Sequence, residues 1–352
     1  MKTILKWPGG KERELPVIRE NIPAYSGRFV EPFVGGGAVF FDVDNTDCCI
    51  NDKSYELINL YNCTKHRDPD LVKYLQLEND EFTKIGSFID ENPDDILALY
   101  RSELSISDFL NRYDALFSSI AENHHSVFVK ELGRNLSNKI KRSHKLEAEQ
   151  GTIPDKDRID NIEAALKSAY YMYIRYMQNN QSEFSAGRQA AIFFFVREYC
   201  YSSMFRYNAK GEFNVPYGGI SYNRKDFQKK INYILSPSVK EKLSNTQIYN
   251  LDFEAFLQRL DLTEDDFIFL DPPYDSDFSS YAKNTFGQED QVRLCEYLKH
   301  TRSKILLVIK NTEFIYSLYK DDFSIKSFNK KYMVSFMNRN EKNVKHLAIT
   351  NY

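Results

Sequence analysis

The sequence is short of the marks that would place it in several large classes. No uninterrupted apolar run approaches membrane-spanning length, and the opening Met1-Lys2-Thr3-Ile4-Leu5-Lys6 lacks the apolar stretch of a signal peptide. A soluble, cytoplasmic protein is therefore expected. The five cysteines, Cys48, Cys49, Cys63, Cys200 and Cys295, are odd in number and nowhere take metal-ligand spacing. Buried free thiols in a reducing compartment are the expectation, with no metal. Positive charge is not in excess: 47 Lys and Arg face 50 Asp and Glu, a formal net charge of -3. This excludes a globally basic nucleic-acid binder but leaves room for one basic face, because phosphate contacts need charge only locally. Internal repeats and low-complexity tracts are absent too, and tryptophan occurs once, at Trp7.

Aromatic rings are plentiful, with 24 Tyr and 26 Phe in 352 residues. Such richness suits base stacking, although most of these rings belong in a core. The length is comfortable for two domains. Residues 1–62 read as α/β: a short strand at 28–33, a glycine turn, a helix opening near Ala38, a strand at 48–52 and a helix from Tyr55. A strand, a glycine-rich turn, a helix and a strand ending in an acid open a doubly wound, nucleoside-binding sheet. From 63 to about 200 the periodicity is mainly helical. A basic run from Lys130 to Lys145, with Arg134, Lys139, Lys141, Arg142 and His144, reads first as a solvated helix face and second as a phosphate-contacting one. Residues 201–225 are irregular, aromatic and glycine-bearing, a hairpin or loop. Beyond 240 the α/β pattern resumes, with strands at 247–251, 267–270, 304–310, 323–328 and 346–352 and an amphipathic helix at 288–300. One domain of 1–62 and 231–352, split by a helical one of 63–230, is the expected organisation.

Four short motifs carry chemistry. Asp271-Pro272-Pro273-Tyr274 follows the apolar run at 267–270, at the carboxyl end of a strand, where open α/β sheets bind ligands. An adenine amino nitrogen is a poor nucleophile because its lone pair is delocalised into the ring. The Asp271 carboxylate and the Pro272 carbonyl suit the two amino hydrogens and would localise that pair. The prolines stiffen the turn, and Tyr274 offers a ring to an extruded base, a contact worth about 1–3 kcal/mol. Alone, the tetrapeptide reads equally well as a turn closing a strand. Glu31-Pro32-Phe33-Val34-Gly35-Gly36-Gly37 gives a glycine turn that lets backbone approach a ligand. It fails the dinucleotide fingerprint at Phe40, and no Lys-Ser or Lys-Thr pair follows to make a phosphate loop. Asp52 can accept from ribose hydroxyls or, more plainly, cap the helix beside Ser54. In Lys6-Trp7-Pro8-Gly9-Gly10-Lys11, Lys11 suits a ligand carboxylate and Trp7 an aliphatic stem; an anchored N-terminal turn is the plain alternative.

Taken together and in this order, these residues resemble the D12-class (α-group) DNA adenine-N6 methyltransferases, the Dam-like family. A further element, Phe205-Arg206-Tyr207-Asn208-Ala209-Lys210-Gly211-Glu212-Phe213-Asn214-Val215-Pro216-Tyr217-Gly218, looks like that family's DNA-recognition hairpin, and another, Asn338-Arg339-Asn340 with Lys342, like its closing segment. The likeness covers about 1–62 and 195–352. It implies a Rossmann-like methyltransferase fold with a mixed seven-stranded sheet and an inserted helical recognition domain. It implies S-adenosylmethionine as cofactor, held by Trp7, Lys11, Glu31, Phe33, Gly35, Gly37, Asp52, Asp252, Phe253 and Asp271. Catalysis would fall to Asp271, Pro272, Pro273 and Tyr274, and duplex DNA contact to Tyr201, Ser202, Arg206, Asn208, Pro216 and Tyr217. The partners implied are double-stranded DNA and, within a restriction-modification system, a cognate endonuclease. A monomer or weak dimer at the nucleoid is expected. The chain departs from the family pattern at Tyr201-Ser202-Ser203, where many members have Tyr-Asn-Gly, so a GATC target does not follow. Its stretch from 63 to 200 is also longer than in compact members. An RNA amino-methyltransferase and a non-catalytic DNA-binding module derived from such an enzyme are the rival readings.

Overall fold

The computed structural model describes residues 1–121, 123–274, 286–331 and 343–352. It divides into two compact units, one of Met1–His66 with Leu235–Tyr352 and one of Arg67–Ile234. No helix among the described residues is long and apolar enough to cross a membrane. All five cysteines are buried free thiols, as expected.

The first unit is built on seven strands: β1 (Phe29–Glu31), β2 (Cys48–Asn51), β3 (Thr246–Tyr249), β4 (Phe267–Leu270), β5 (Lys304–Lys310), β6 (Ser324–Lys331) and β7 (Asn343–Thr350). They lie in the order β3-β2-β1-β4-β5-β7-β6. The first five pair in parallel, β7 runs antiparallel to β5, and β6 antiparallel to β7. This is the mixed seven-stranded sheet that was expected. Parallel central strands are covered on both faces, so they read as unbroken apolar runs. All of β4, Phe-Ile-Phe-Leu, is buried, as are the five inner residues of β5. Each such side chain contributes about 1.5–3 kcal/mol by leaving water.

From β1 the chain crosses to β2 on one side, whereas β4 crosses to β5 on the other. The sheet therefore reverses its winding between β1 and β4. A crevice opens beyond the carboxyl ends of two strands at such a point. Glu31 and Asp271 stand at those two ends.

One local expectation fails. No helix opens near Ala38; residues 38–43 form single turns, with Phe41 N–H donating to Gly37 O at 2.9 Å and Val43 N–H to Val39 O at 3.0 Å. Val39-Phe40-Phe41 is β-branched and aromatic, a poor helix-forming run, and one turn is too short to propagate. Burial of those three side chains holds the segment instead.

The second unit is helical, its longest elements being Pro69–Glu91, His125–Gln150 and Asp155–Asn179. Local chemistry sets their starts: Asp68 accepts from the N–H groups of Asp70 and Leu71 ahead of a helix beginning with proline, and Ser185 accepts from Arg188 N–H. The core is aromatic, with Phe82 4.4 Å from Tyr199 and Phe195 4.6 Å from Tyr199 between ring centroids. The basic run falls on helix His125–Gln150. Arg134 pairs with Glu131, Lys145 lies beside Glu149, and the His144 ring meets the Tyr100 carbonyl. This is the partly neutralised, solvated face of the first reading.

Candidate active site at the sheet's winding reversal

Every cofactor and catalytic residue expected from the sequence lines one cavity of the first unit. The glycine turn forms its floor. Gly35 and Gly37 take φ values of +48° and +73°. A Cβ on Gly35 would stand 2.8 Å from Trp7 Cδ1, and one on Gly37 2.7 Å from the Tyr61 hydroxyl. Trp7 thus packs on the turn, and Tyr61 donates to Gly35 O at 3.1 Å. Only glycine fits there.

Asp52 accepts from Gly35 N–H at 3.0 Å and from Ser54 N–H at 2.9 Å, joining the turn to the end of β2. Burial outweighs those bonds and pushes its carboxyl up to about 6. Glu31 is 2% exposed, and its Oε2 has no hydrogen-bond partner among the described residues. Burial, and next the charge of Asp271, hold its carboxyl well above the usual range. Lys11, also buried, donates to Asp271 Oδ1, to Gly9 O at 3.3 Å and to the Tyr274 hydroxyl at 3.3 Å. Lys11 is thus an ion-pair partner of Asp271 in this state. Phe33 stands edge-on to Phe286 at 5.5 Å and tilted against Phe253 at 5.5 Å, making an aromatic wall.

Several residues that shape this cavity carried no signal in the motifs. Asn51 binds three strand ends, donating to Pro32 O and Leu251 O and accepting from Leu251 N–H at 2.9 Å. Arg293 pairs with Asp252, Glu254 and Asp290 and lies 4.9 Å from the Phe253 ring. Gln291 is fully buried and donates to Pro273 O at 2.8 Å, fixing the turn after β4. One clue to it existed: Gln291 sits with Leu294, Cys295 and Leu298 on the core stripe of helix Gln288–His300, where a polar side chain needs a partner.

The expected hairpin belongs to the second unit and is tied by antiparallel bridges, Cys200 to Tyr217 and Tyr207 to Phe213. Tyr201, Ser202, Arg206 and Pro216 are exposed and Asn208 half-buried. Arg206 donates to Asn214 Oδ1 at 2.7 Å and Asn214 O at 2.6 Å. Asn208 closes the tip, accepting from the N–H groups of Lys210 and Glu212. Tyr217 is different: it is 7% exposed, and its hydroxyl donates to Asn223 Oδ1 at 3.2 Å. Its ring belongs to the aromatic core, 5.9 Å from Tyr171, and not to the surface expected for a DNA contact. The segment Asn338-Arg339-Asn340 with Lys342 lies outside the described residues.

A doubly wound sheet with acids and an aromatic wall at its winding reversal is the plan of an α/β fold with a ligand crevice at its strand ends. The chain belongs to the D12 class N6 adenine-specific DNA methyltransferases, whose family model matches residues 7–161 and 152–334. It is similar over its whole length to the Type II methyltransferase M.CviBI of Paramecium bursaria Chlorella virus NC1A, 28% identical over 357 residues and 100% of both chains. It is likewise similar to the Type II methyltransferase M.MjaIII of Methanocaldococcus jannaschii, 27% identical over 367 residues, 100% of this chain and 99% of the relative. The DNA adenine methylase of Escherichia coli K12 is 24% identical over 300 residues, 84% of this chain and 74% of the relative. The protein is an adenine-specific DNA methyltransferase.

Proposed function

We propose that this cavity takes S-adenosylmethionine and an adenine turned out of duplex DNA, and that the hairpin of the second unit selects the site. The observation carrying this reading is the convergence of Asp271, Pro272 and Tyr274 with Glu31, Asp52 and Lys11 on one crevice. The residues fit the cofactor. The glycine turn leaves room for its backbone approach, and Asp52 suits the ribose hydroxyls. Glu31 offers its unpartnered oxygen to the ammonium, while Phe33 and Phe253 face the adenine ring. When bound, S-adenosylmethionine supplies a methyl group on a positively charged sulfur.

The chain's own part is positioning. Lys11 holds the Asp271 carboxylate in place through their ion pair, so that it accepts one amino hydrogen of the target adenine while Pro272 O accepts the other. The neutral nitrogen needs no prior base, and its proton leaves afterwards through Asp271 or water. Holding the two reactants in line removes much of the entropic barrier. Extrusion of the base costs a few kcal/mol, and the Tyr274 ring offsets part of it. On the duplex, Tyr201, Ser202, Arg206, Asn208 and Pro216 carry recognition. An Arg206 fork on guanine is worth about 1–3 kcal/mol of discrimination. The likeness to proteins named Type II methyltransferases favours work beside a cognate endonuclease.

Labelled methyl transfer, with N6-methyladenine mapped in the product, tests this. The expected result is label in duplex DNA at one short sequence. Label in RNA but not in duplex DNA would overturn it. Cofactor binding without any transfer would point instead to a non-catalytic DNA-binding module.

A further inference from the structure

The loop that opens the hairpin holds an uncommon backbone. Ser202 and Ser203 both lie in the left-handed region, at φ 52° and 51°. Glycine and asparagine enter that region readily, and serine does so at a cost. Two such residues in succession hold only if their surroundings enforce them.

Arg197 supplies that enforcement. It sits near the end of helix Ala186–Tyr199 with none of its surface exposed. One guanidinium nitrogen donates to Met204 O at 2.6 Å, and the other terminal nitrogen donates to Ser203 O. The guanidinium carbon lies 3.8 Å from the centre of the Phe205 ring. One cation thus grips two successive carbonyls just past the left-handed pair and packs on the ring that follows. On the near side, Tyr201 N–H donates to Pro216 O at 2.9 Å, and Met204 N–H to Tyr201 O at 3.2 Å. The backbone of 201–204 is held at both ends while the side chains of Tyr201 and Ser202 remain exposed.

We propose that Arg197 is a positioning residue for DNA site selection: a buried clamp that keeps the Ser202–Ser203 turn left-handed, so that Tyr201 and Ser202 meet the duplex in one conformation. This rests on the hairpin being the reader. Arg197 touches no DNA itself. A planar fork can reach two carbonyls and stack at once, whereas a lysine ammonium is a point charge without a face. A loop freed from the clamp samples several conformations and accepts several sequences. Its loss therefore lowers discrimination between sites more than it lowers cofactor affinity.

The test is selection from a randomised duplex pool by the full chain, with wild type, Arg197→Gln, Arg197→Lys, Ser203→Gly and each Arg197 variant combined with Ser203→Gly. Selectivity is the ratio of binding to the preferred site over its single-pair variants. Thermal melting and S-adenosylmethionine affinity are measured alongside. Arg197→Gln is expected to cut selectivity roughly tenfold, the size of one good base contact, with cofactor affinity within about twofold. Arg197→Lys should fall between. Ser203→Gly should restore part of the selectivity in either background, because glycine takes the left-handed conformation unaided. A purely structural role would not be rescued in this way. If Arg197→Gln fails to fold, Arg197→Lys with and without Ser203→Gly carries the same comparison. Unchanged selectivity in a folded Arg197 variant overturns the proposal, as does a loss that Ser203→Gly leaves untouched. Because binding is read and not methylation, absence of methyl transfer would sink the proposed function while still leaving Arg197 judged.

Discussion

Glu31 and Arg197 invite comparison, because each unit buries one of them almost completely and treats it in an opposite way. Glu31 is 2% exposed at the end of β1, with one oxygen lacking a partner among the described residues and its carboxyl held well above the usual range by burial. Arg197 is 0% exposed, yet its guanidinium is engaged by the Ser203 and Met204 carbonyls and the Phe205 ring. An unsatisfied buried acid costs stability until something completes it. A buried base whose two terminal nitrogens are both engaged instead fixes the shape of its surroundings. The cavity at the winding reversal leaves a carboxylate oxygen open, whereas the terminal nitrogens that support the hairpin are already engaged. Affinity is stored in the first unit and geometry in the second.

The contrast can be broken most sharply at Asp271. Asp271→Ala should abolish methyl transfer, a loss of at least about a thousandfold, while site selection by binding stays intact; retained transfer in a radiolabel assay would refute the assigned chemistry. Glu31→Gln is expected next in size. Without an acid whose ionisation burial opposes, the empty protein should melt higher at neutral pH, and S-adenosylmethionine binding should weaken roughly tenfold, as one charge-assisted bond is lost. Calorimetry that finds both quantities lowered would deny that Glu31 awaits a ligand.

A third prediction uses Asp52. Its carboxyl titrates at about 6 because burial raises it. On the proposed reading the ionised form accepts from ribose hydroxyls, so in a Glu31→Gln background, where the other raised carboxyl is gone, cofactor affinity should fall by up to about tenfold per pH unit below pH 6. Asp52→Asn should bind more weakly and show no such slope; a profile flat from pH 5 to 8 in the Glu31→Gln background would remove Asp52 from that role. The smallest effect belongs to the second unit. Arg206→Ala should relax selection at one base position by roughly tenfold or less, leaving cofactor binding unchanged. Normal specificity in that variant would mean the hairpin is not the reader.

Much of this was legible in the sequence where a residue's role is set by its neighbours along the chain. β4 and β5 were bounded correctly because strands buried on both faces are continuous apolar runs. The cavity residues announced themselves because glycine turns and strand-end acids have few other uses in that order. What escaped depends on contacts between distant segments. Nothing near Gln291 in sequence points to Pro273, and Arg293 acquires its role only when Asp252, Glu254 and Asp290 converge on it. Tyr217, a DNA contact by the family resemblance, is buried in the aromatic core, because rings from distant helices close over it. Arg197 follows the apolar run 190–196, where the charged pair Arg197-Glu198 at the end of a buried helix is the only hint.

The interrupted sheet also bears on how the chain assembles. β2 pairs with β3 through Cys48 and Thr246, and β1 with β4 through Phe29 and Phe267, so both pairings wait for residues made long after the first strands. The helical unit, by contrast, is one continuous stretch, Arg67–Ile234, rich in short-range contacts. Local contacts form quickly, and distant parallel pairings form slowly. During synthesis the helical stretch is therefore free to fold while β1 and β2 are still without their later neighbours. The two halves of the sheet then pair across a segment of sequence that is already ordered, which leaves less loose chain to confine. On the proposed function, the order of synthesis finishes the unit that carries the hairpin first and the sheet that carries the cavity last.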